Sequence, residues 1–533
     1  MSRGRRAAWL AAFALAFPLS FPHPVGTHVL DLGLVLAWFA PALLLLGLRG
    51  LAPRAAAVAA FAAGLVAHAL LFHWIYVATV DYGHAPAPVG VLAAIGLGLY
   101  PALFFAVFGA AWAVLSRAKL GSPIAAAALW VALEHARSFV ATGMPWGLIG
   151  YTQHANAALV AWVPFTGVWG LSFVVVAVSA TLARVVVLRR ADATLGLVLA
   201  AFAALLGAGA LDLARDPGQP SETIRIGVLQ GNVDQDVKWS PEWAERTLAD
   251  SAALTRRAAD DGARVVVWPE TAVPGSPDYD PILAERLAEL ARELRVALVV
   301  GAVGVEPHAA GGLRYFDSAF VIAPDGTFAD RYDKTHLVPF GEYVPFRALV
   351  GRFVEAIARG AANTDVSPGR APRAVAVPLA DGTTLLAGVP ICYELLFPDA
   401  VRRFFAPFGA SSPAGSVGAE MLLAITNDAW YGRTGAPYQF LVMTALRSAE
   451  NRVWTVRAAN TGISAVIDDR GRVRMQTPLF EQTLLVADVP RRPAPVGGSF
   501  YARYGDWLPI ACWLASAGLV LAAWRRRGVQ ADE

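Results

Sequence analysis

The stretch Gly388-Val389-Pro390-Ile391-Cys392-Tyr393-Glu394 links a predicted strand to a predicted helix. The apolar run 385–391 predicts a buried strand that ends at Cys392, and a helix is predicted to open near Phe397-Pro398-Asp399. A strand-to-helix elbow holds a thiol at the rim of a sheet and directs backbone N–H groups of the next turn at a developing oxyanion. The alternative is a small buried thiol that packs like a hydrophobe, and this stretch alone does not decide between them.

Composition predicts that much of the chain lies in a membrane. Of 533 residues, 56% are hydrophobic and only 16% are charged, whereas soluble domains carry about 25% charged residues. The formal net charge of +3 is too small to predict nucleic-acid binding, and no long basic run is present. The two cysteines, Cys392 and Cys512, cannot form a disulfide framework, and we expect Cys512 to pack within its apolar run.

Eight apolar runs are candidate membrane spans, because a helix needs about 20 residues to cross the hydrocarbon. They cover approximately residues 7–19, 29–48, 55–79, 89–115, 124–140, 158–188, 195–213 and 507–524. The first run follows three arginines without a clean small-residue cleavage site, so we interpret it as a retained helix. The pattern predicts about seven membrane helices over 1–213, a polar insert over 214–506, and a final span with a short basic cytoplasmic tail over 507–533.

Arginine and lysine clusters fall on alternate loops of this predicted bundle. Cations are found at 3–6, 49–54, 117–119, 189–190 and 525–527, whereas the loops at 21–24 and 81–84 hold no lysine or arginine. Because cytoplasmic loops are enriched in these residues, we expect the polar insert to lie outside the cytoplasm. Arg137, near the outer end of the fifth run, is the exception.

Glu134 and Arg137 are ionisable residues within a predicted span, where charge is costly. One interpretation is that they hold a lipid headgroup. Because they lie three residues apart on one helical face, they are also placed to pair with each other. The spacing favours the pair.

The polar insert, which follows a linker at Asp216-Pro217-Gly218, alternates short apolar runs with helical patterns. Strands are predicted at 224–229, 265–268, 296–303, 316–322, 328–332, 384–391, 421–425, 453–458, 464–467 and 484–489, and helices at 241–261, 281–294 and 438–451. Such alternation is typical of a layered α/β domain.

Three predicted strands end next to residues that can do chemistry. Glu270 follows Trp268-Pro269, Lys334 follows the strand that ends at Tyr332, and Cys392 follows the strand described first. Singly, a carboxylate or a lysine at a strand end is usually solvated surface. Together they provide what acyl transfer requires: a base for the thiol proton, a cation for the oxyanion and a soft nucleophile.

Several longer motifs resemble the apolipoprotein N-acyltransferase branch of the nitrilase superfamily. They are Trp268-Pro269-Glu270, the run YDKTHLVPFGEYVP at 332–345, Ile391-Cys392-Tyr393-Glu394, Gln230-Gly231-Asn232 with Lys238-Trp239, and the run TNDAWYG at 426–432. The order of membrane spans, polar insert and final span is similar as well, so the resemblance covers nearly the whole chain. It implies a multi-span α-helical membrane bundle with an α/β nitrilase-like αββα sandwich domain.

The resemblance also implies roles for individual residues. Glu270 would be the general base, Lys334 the oxyanion stabiliser and Cys392 the acylated nucleophile. The supporting and substrate-binding residues that it implies are Trp239, Glu342, Tyr393 and Glu394.

The implied reaction moves a fatty acyl chain from a membrane phospholipid to the N-terminal amine of a diacylated apolipoprotein, through a Cys392 thioester. The implied location is the bacterial inner membrane, with the catalytic domain on the periplasmic side. No cofactor or metal is predicted, since the sequence holds no glycine-rich nucleotide loop and no clustered His/Cys ligand set. Two alternatives remain: a membrane-anchored nitrilase-type amidase, and a transport or lipid-binding protein with a degenerate outer domain.

Overall fold

The computed structural model describes residues 1–215, 222–234, 238, 240–308, 311–344, 365–405, 418–491 and 498–531. Residues 1–215 are mainly helical, and residues 222–491 form two β-sheets with helices packed on them. The last helix returns to pack on the N-terminal helices. The predicted fold class, a helical region with several apolar helices joined to an α/β sandwich, is confirmed.

The N-terminal region contains ten α-helices within the described residues, and one short hairpin. The helices are α1 (Arg3–Leu19), α2 (Gly33–Leu36), α3 (Ala40–Leu48), α4 (Pro53–Leu71), α5 (Ala87–Arg117), α6 (Pro123–Arg137), α7 (Ala157–Val160), α8 (Val163–Thr166), α9 (Val168–Leu188) and α10 (Ala193–Ala214). The hairpin pairs β1 (His23–Val25) with β2 (His28–Leu30).

Among the described residues, five helices are long and apolar enough to cross a membrane. They are Pro53–Leu71, Ala87–Arg117, Val168–Leu188, Ala193–Ala214 and Trp507–Arg526. These coincide with five of the eight predicted runs. Of the other three, α1 has 17 residues, α6 has 15, and the second run is divided between α2 and α3. Pro41 lies at the start of α3, where its missing N–H is tolerated, but it cannot continue a preceding helix.

Large apolar side chains point outward along these long helices. Leu92 on α5 is 65% exposed, Leu197 on α10 is 71% exposed, and Leu514 on the last helix is 72% exposed. Contiguous apolar surface of this kind is unfavourable in water but matches the apolarity of lipid tails. The helical region therefore belongs to a membrane protein.

Within the described residues, the second region is built from twelve strands. They are β3 (Glu222–Gln230), β4 (Val265–Val267), β5 (Ala297–Pro307), β6 (Leu313–Ile322), β7 (Phe328–Asp333), β8 (Ala374–Pro378), β9 (Thr384–Gly388), β10 (Met421–Thr426), β11 (Thr455–Ala459), β12 (Ala465–Ile467), β13 (Val473–Gln476) and β14 (Thr483–Arg491). One sheet has the order β14-β3-β4-β5-β6-β7 and the other has the order β13-β12-β11-β10-β9-β8.

The remaining helices cover these sheets or join them to the membrane region. They are α11 (Pro241–Asp260), α12 (Pro281–Leu294), α13 (Pro398–Arg402), α14 (Ala436–Asn451), α15 (Phe500–Tyr504) and α16 (Trp507–Ala531). On β4, Val265 and Val267 pack in the core shared by both sheets, whereas Val266 packs with Leu287 of α12. This alternation follows from the two-residue period of a strand. On β12, Ala465 and Ile467 pack with Leu441 of α14, whereas Val466 lies in the core cluster of Val265 and Val267, so the layers run α, β, β, α.

Strand direction brings the important loops to one edge of the first sheet. Strands β3, β4 and β5 are parallel, and β7 runs in the same direction because β6 is antiparallel to both β5 and β7. The loops after β4 and β7 therefore leave from the same edge. In the second sheet, β9 is parallel to β10 and leads directly toward Cys392.

Two strands were missed by the sequence analysis, and β9 is three residues shorter than predicted. All four residues of β13 are exposed, so it carries no apolar alternation, and β8 has only five residues. Strand β9 ends at Gly388 rather than at Ile391, because Pro390 lacks the N–H that a central strand needs.

Candidate active site

Glu270 lies in a tight loop at the carboxyl end of β4. Strand β4 ends at Val267, and Pro269 has no N–H with which to extend the ladder. Trp268 is anchored because its indole N–H donates to Thr255 Oγ1 of α11 at 3.0 Å. Thr271 then adopts a left-handed φ of 43°. Glu270 is left only 6% exposed, so the predicted base is buried rather than solvated.

Lys334 follows β7 and is fully buried. Its backbone N–H donates to the carbonyl of Asp317 at 2.9 Å. Its Nζ donates to Glu270 Oε1 at 3.1 Å, Asp317 Oδ2 at 3.1 Å and Glu342 Oε1 at 2.5 Å. Since an ammonium group has three N–H donors, all of them are engaged. Lys334 therefore brings the residues predicted as base, cation and support into one cluster.

Cys392 begins a single 3-10 turn, Cys392–Leu396, directly after the strand region of the second sheet. Ile391 forms an isolated parallel bridge with Ile425, which fixes the chain next to β10. Cys392 has a φ of 46°, a left-handed conformation that is uncommon for residues other than glycine and that is found at functional sites. Its side chain is 8% exposed, and the backbone N–H of Asn427 donates to the sulfur.

The charges around Cys392 oppose formation of a free thiolate. Burial raises the pKa of the thiol well above its ordinary value, the charge of Glu270 raises it further, and the charge of Lys334 opposes the increase. For Glu270, burial disfavours ionisation, but the charge of Lys334 and the hydrogen bond from Lys334 Nζ lower its pKa overall. For Lys334, burial disfavours the charge, yet the nearby carboxylates raise its pKa well above its usual range. The site therefore combines a neutral thiol, a carboxylate and an ammonium ion.

The three carboxylates around Lys334 also have the spacing of a cation site. One oxygen from each of Glu270, Asp317 and Glu342 lies within 4.8 Å of the others. Hard divalent cations bind oxygen ligands of this kind. The Lys334 ammonium, however, is within 3.1 Å of an oxygen of each residue. The cluster is arranged around a lysine rather than around an open metal position.

Glu394 joins the loop that contains Lys334 to the loop that contains Cys392. It is fully buried. Its Oε1 accepts hydrogen bonds from Tyr332 Oη at 2.7 Å, from the backbone N–H of Thr335 at 2.8 Å and from Thr335 Oγ1 at 2.6 Å. Its Oε2 accepts from the backbone N–H of Ile391 at 2.8 Å. Glu394, which was predicted as a supporting residue, therefore links the loop of Lys334 to the loop of Cys392 by hydrogen bonds.

Tyr393 connects the site to the membrane region. Its hydroxyl donates to the carbonyl of Gly143, in the loop after α6, at 3.2 Å. Nearby, His336 Nε2 lies 3.1 Å from the carbonyl of Thr142, and the His336 ring stacks on Phe397 with centroids 3.7 Å apart. The turn that begins at Cys392 is thus held directly against a loop between membrane helices.

Glu134 and Arg137 are close enough to interact electrostatically, as predicted, but they do not form a direct ion pair. Arg137 donates to the carbonyls of Trp146 at 2.6 Å and of Gly147 at 3.3 Å, and Glu134 Oε1 accepts from the backbone N–H of Ile149 at 2.8 Å. Neither of these two described side chains forms an ion pair with the other, because the loop after α6 offers both of them backbone partners. They hold the loop that Tyr393 contacts.

Two buried residues of the site were not identified by the sequence analysis as functional. Asp317 is the one ionisable residue in the buried part of β6, residues 316–322, and an ionisable residue in such a strand is a signal that was available. Lys238 is fully buried, and its Nζ donates to Thr271 Oγ1 and to the carbonyl of Glu270, the latter at 3.4 Å. Only its position next to Trp239 in a motif drew attention to it. Trp239 itself lies outside the described residues.

Comparison with known families defines the class of protein. The carbon-nitrogen hydrolase family model matches residues 225–493, which contain both sheets, and the model for the apolipoprotein N-acyltransferase N-terminal domain matches residues 9–181. An amidase from Nesterenkonia has a solved structure that is 21% identical and covers 52% of this chain and 94% of its own, with a TM-score of 0.36. The two family models show that the chain contains a carbon-nitrogen hydrolase domain and an apolipoprotein N-acyltransferase N-terminal domain.

Full-length relatives are more specific. The apolipoprotein N-acyltransferase of Geobacter metallireducens is 37% identical over 526 residues, which are 96% of this chain and 94% of the relative. That of Pseudomonas aeruginosa is 35% identical over 510 residues, 93% of this chain and 92% of the relative. The chain belongs to the apolipoprotein N-acyltransferase family and is an acyltransferase of the nitrilase superfamily.

Proposed function

We propose that this protein transfers a fatty acyl chain from a membrane phospholipid to the N-terminal amine of the diacylglyceryl cysteine of an apolipoprotein, by way of a thioester on Cys392. The observation that supports this most directly is the hydrogen bond from Lys334 Nζ to Glu270 Oε1 at 3.1 Å, both groups being within electrostatic reach of the Cys392 sulfur. This combination provides a base, a cation and a nucleophile in one buried site.

In the first half-reaction, Glu270 takes the proton of the Cys392 thiol while the sulfur attacks the carbonyl carbon of the phospholipid ester. The raised pKa of the thiol, caused mainly by burial, makes such a base necessary. Negative charge then develops on the carbonyl oxygen of the ester. Lys334 stabilises it through its positive charge, and the backbone N–H of Tyr393, at the start of the 3-10 turn, is a donor near the sulfur.

The tetrahedral intermediate collapses when the C–O bond to the lysophospholipid breaks, and the leaving oxygen takes the proton from Glu270. The product is the Cys392 thioester. In the second half-reaction, Glu270 accepts a proton from the lipoprotein amine as the nitrogen attacks the thioester carbonyl. The C–S bond then breaks, the sulfur recovers its proton, and a stable amide forms. The two substrates therefore react in sequence by ping-pong chemistry.

The proposed setting is the bacterial inner membrane, with the catalytic domain on the periplasmic side. The alternation of cation clusters along the membrane region supports this orientation. The contact between Tyr393 and Gly143 supports a reaction at the membrane surface. Keeping the acyl chain in the bilayer avoids a cost of about 0.8 kcal/mol for each methylene exposed to water.

The proposal is tested by measuring the mass of the Cys392 peptide after the purified protein is incubated with palmitoyl phospholipid vesicles and no acceptor. We expect a fatty-acyl increment that hydroxylamine removes. Adding a synthetic diacylated lipopeptide should discharge this adduct and yield a triacylated product. Release of free fatty acid without transfer to the lipopeptide would instead indicate a hydrolase.

The two cysteines provide a matched pair of controls. Cys392→Ser should lack the hydroxylamine-sensitive adduct, whereas Cys512→Ser, which changes a buried residue of α16, should retain it. Glu270→Gln should also lack the adduct, because the amide cannot take the thiol proton. An unmodified Cys392 in excess phospholipid would overturn the proposal.

A further inference from the structure

Asp317 is a buried carboxyl group that has no assigned part in either half-reaction. It lies on β6, is 8% exposed, and is bound to Lys334 twice. Its backbone carbonyl accepts from the Lys334 N–H at 2.9 Å, and its Oδ2 accepts from Lys334 Nζ at 3.1 Å. The main chain and the side chain of Lys334 are therefore both positioned by this one residue.

The charges of the cluster do not balance if every carboxyl group is ionised. Glu270, Asp317 and Glu342 surround one ammonium ion, and Lys238 adds a second cation that contacts the Glu270 loop. Three buried negative charges close together are unfavourable, because a carboxylate near another carboxylate favours its protonated form. One of the three groups is therefore expected to hold a proton.

Two oxygen atoms identify the place of that proton. Within the described residues, Glu270 Oε2 and Asp317 Oδ1 are buried and have no hydrogen-bond donor. Leaving both without a donor costs free energy. A proton on one carboxyl group and a hydrogen bond to the other satisfies both atoms at once.

The surroundings favour Asp317 as the carrier. Lys238 Nζ donates to the Glu270 carbonyl and to Thr271 Oγ1, which places its charge beside Glu270. Burial and the charge of Glu270 raise the pKa of Asp317 well above its usual value, and the charge of Lys334 opposes this. The pKa of Glu270 is lowered overall, because the charge of Lys334 and the hydrogen bond from Lys334 Nζ oppose its burial.

We propose that Asp317 is a positioning residue that stays protonated in the resting enzyme and donates a hydrogen bond to Glu270, so that Glu270 remains an ionised base for Cys392. This inference rests on the proposed function of Glu270. The charged or titratable groups that face Asp317 are Glu270, Lys334, Glu342 and Lys238. Asp317 is neutral and acts through a donated hydrogen bond, whereas Lys334 acts through its charge.

The test compares Asp317→Asn with Asp317→Ala in the full-length protein. Asparagine keeps the shape of the acid, with an amide N–H to donate to Glu270 and an oxygen to accept from Lys334. We expect Asp317→Ala to lower the rate of Cys392 acylation from palmitoyl phospholipid vesicles by tenfold or more, and to move the acid limb of its pH profile upward. Asp317→Asn should restore at least a third of the rate, with the acid limb near that of the wild type. Asp325→Asn, in the exposed turn after β6, is the matched control. It should leave the acylation rate and the acid limb of the pH profile unchanged.

An acylation defect in Asp317→Asn as large as that in Asp317→Ala would overturn the inference, because it would require an ionised Asp317. An unchanged pH profile in Asp317→Ala would overturn it as well. A wild-type protein that forms no acyl-Cys392 would instead reject the proposed function. In that case the pH dependence of Cys392 alkylation by iodoacetamide, compared across the same variants, still measures the effect of Asp317 on the base.

Discussion

The carboxylate of Glu394 accepts a hydrogen bond from the hydroxyl of Tyr332 at 2.7 Å. Tyr332 belongs to β7 in the first sheet, and Glu394 belongs to the 3-10 turn that follows the second sheet. The bond therefore joins the two sheets of the sandwich at the edge where Lys334 and Cys392 lie. Because Glu394 also accepts from the backbone N–H groups of Thr335 and Ile391, it fixes the chain next to both residues.

Glu394→Gln should both destabilise the catalytic domain and slow acylation. The carboxylate oxygens accept only, whereas a glutamine amide would turn an N–H group toward the N–H of either Ile391 or Thr335. Losing a buried hydrogen bond to a charged group costs about 1.5–3 kcal/mol. Thermal denaturation in detergent and the rate of acyl-Cys392 formation measure the two effects.

Tyr332→Phe is the matched control for this prediction. It removes one donor and leaves the Glu394 carboxylate with its backbone partners, so we expect a smaller loss of stability, about 1 kcal/mol. Equal losses in the two variants would contradict the role of Glu394 as the central acceptor.

Lys238 should produce an alkaline decline in the acylation rate. Burial lowers its pKa to about 8, although the charge of Glu270 opposes this decrease. Lys238 is therefore positive below that pH and neutral above it. Because negative charge builds up on the carbonyl oxygen of the ester during acylation, loss of this cation should slow the reaction as pH rises through about 8. Rates of acyl-Cys392 formation between pH 6 and about pH 9.5 measure the profile.

Lys238→Met should abolish that decline and lower the rate below pH 7 by about tenfold, corresponding to about 1.4 kcal/mol of activation free energy. Lys119→Met, at an exposed lysine in the loop after α5, is the control and should keep the wild-type profile. If the alkaline decline persists in Lys238→Met, a group other than Lys238 causes it.

Gly301→Ala should displace the Glu270 loop. Gly301 lies on β5 next to the end of β4, and a Cβ added there would lie 2.7 Å from the Glu270 Cα and 2.7 Å from the Thr271 nitrogen. Both atoms belong to backbone, so the loop must move. Since a shift of about 1 Å at a catalytic group can cost about 100-fold in rate, we expect a loss of that order in acyl-Cys392 formation.

Gly231→Ala is the control, because its added Cβ would have its nearest neighbours at 3.6 and 3.7 Å. That is ordinary van der Waals contact, and we expect acylation within about twofold of the wild type. A wild-type rate in Gly301→Ala would mean that the Glu270 loop adapts without losing its geometry.

Tyr393→Phe should weaken the connection between the site and the membrane loop. It removes the hydrogen bond to the Gly143 carbonyl, for which we expect a loss of about 1 kcal/mol, or roughly fivefold in the rate of acylation from vesicles. Tyr279→Phe, at a side chain that is 71% exposed, is the control and should acylate normally. Acylation of Tyr393→Phe at the control rate would separate this contact from function.

Composition and local pattern were sufficient to predict the helices and strands whose formation depends on residues close in sequence. Five of the predicted membrane runs form long helices, since burial in lipid depends on a continuous stretch of apolar residues. Strands β4 and β10 and helices α11, α12 and α14 lie close to their predicted positions because each has its own periodicity and breakers. Proline after β4 also marked the loop that carries Glu270.

What the sequence by itself determined, then, was which residues stand at strand ends and which segments are apolar enough for lipid. Only the tertiary structure decided that Lys334 contacts Glu270 across 64 positions, that Asp317 completes the cluster, and that Arg137 binds a loop instead of Glu134. The physical reason is that a buried charge pairs with whichever group the packing of distant segments brings within hydrogen-bond distance. The spacing of residues along the sequence does not give their distance in the folded protein.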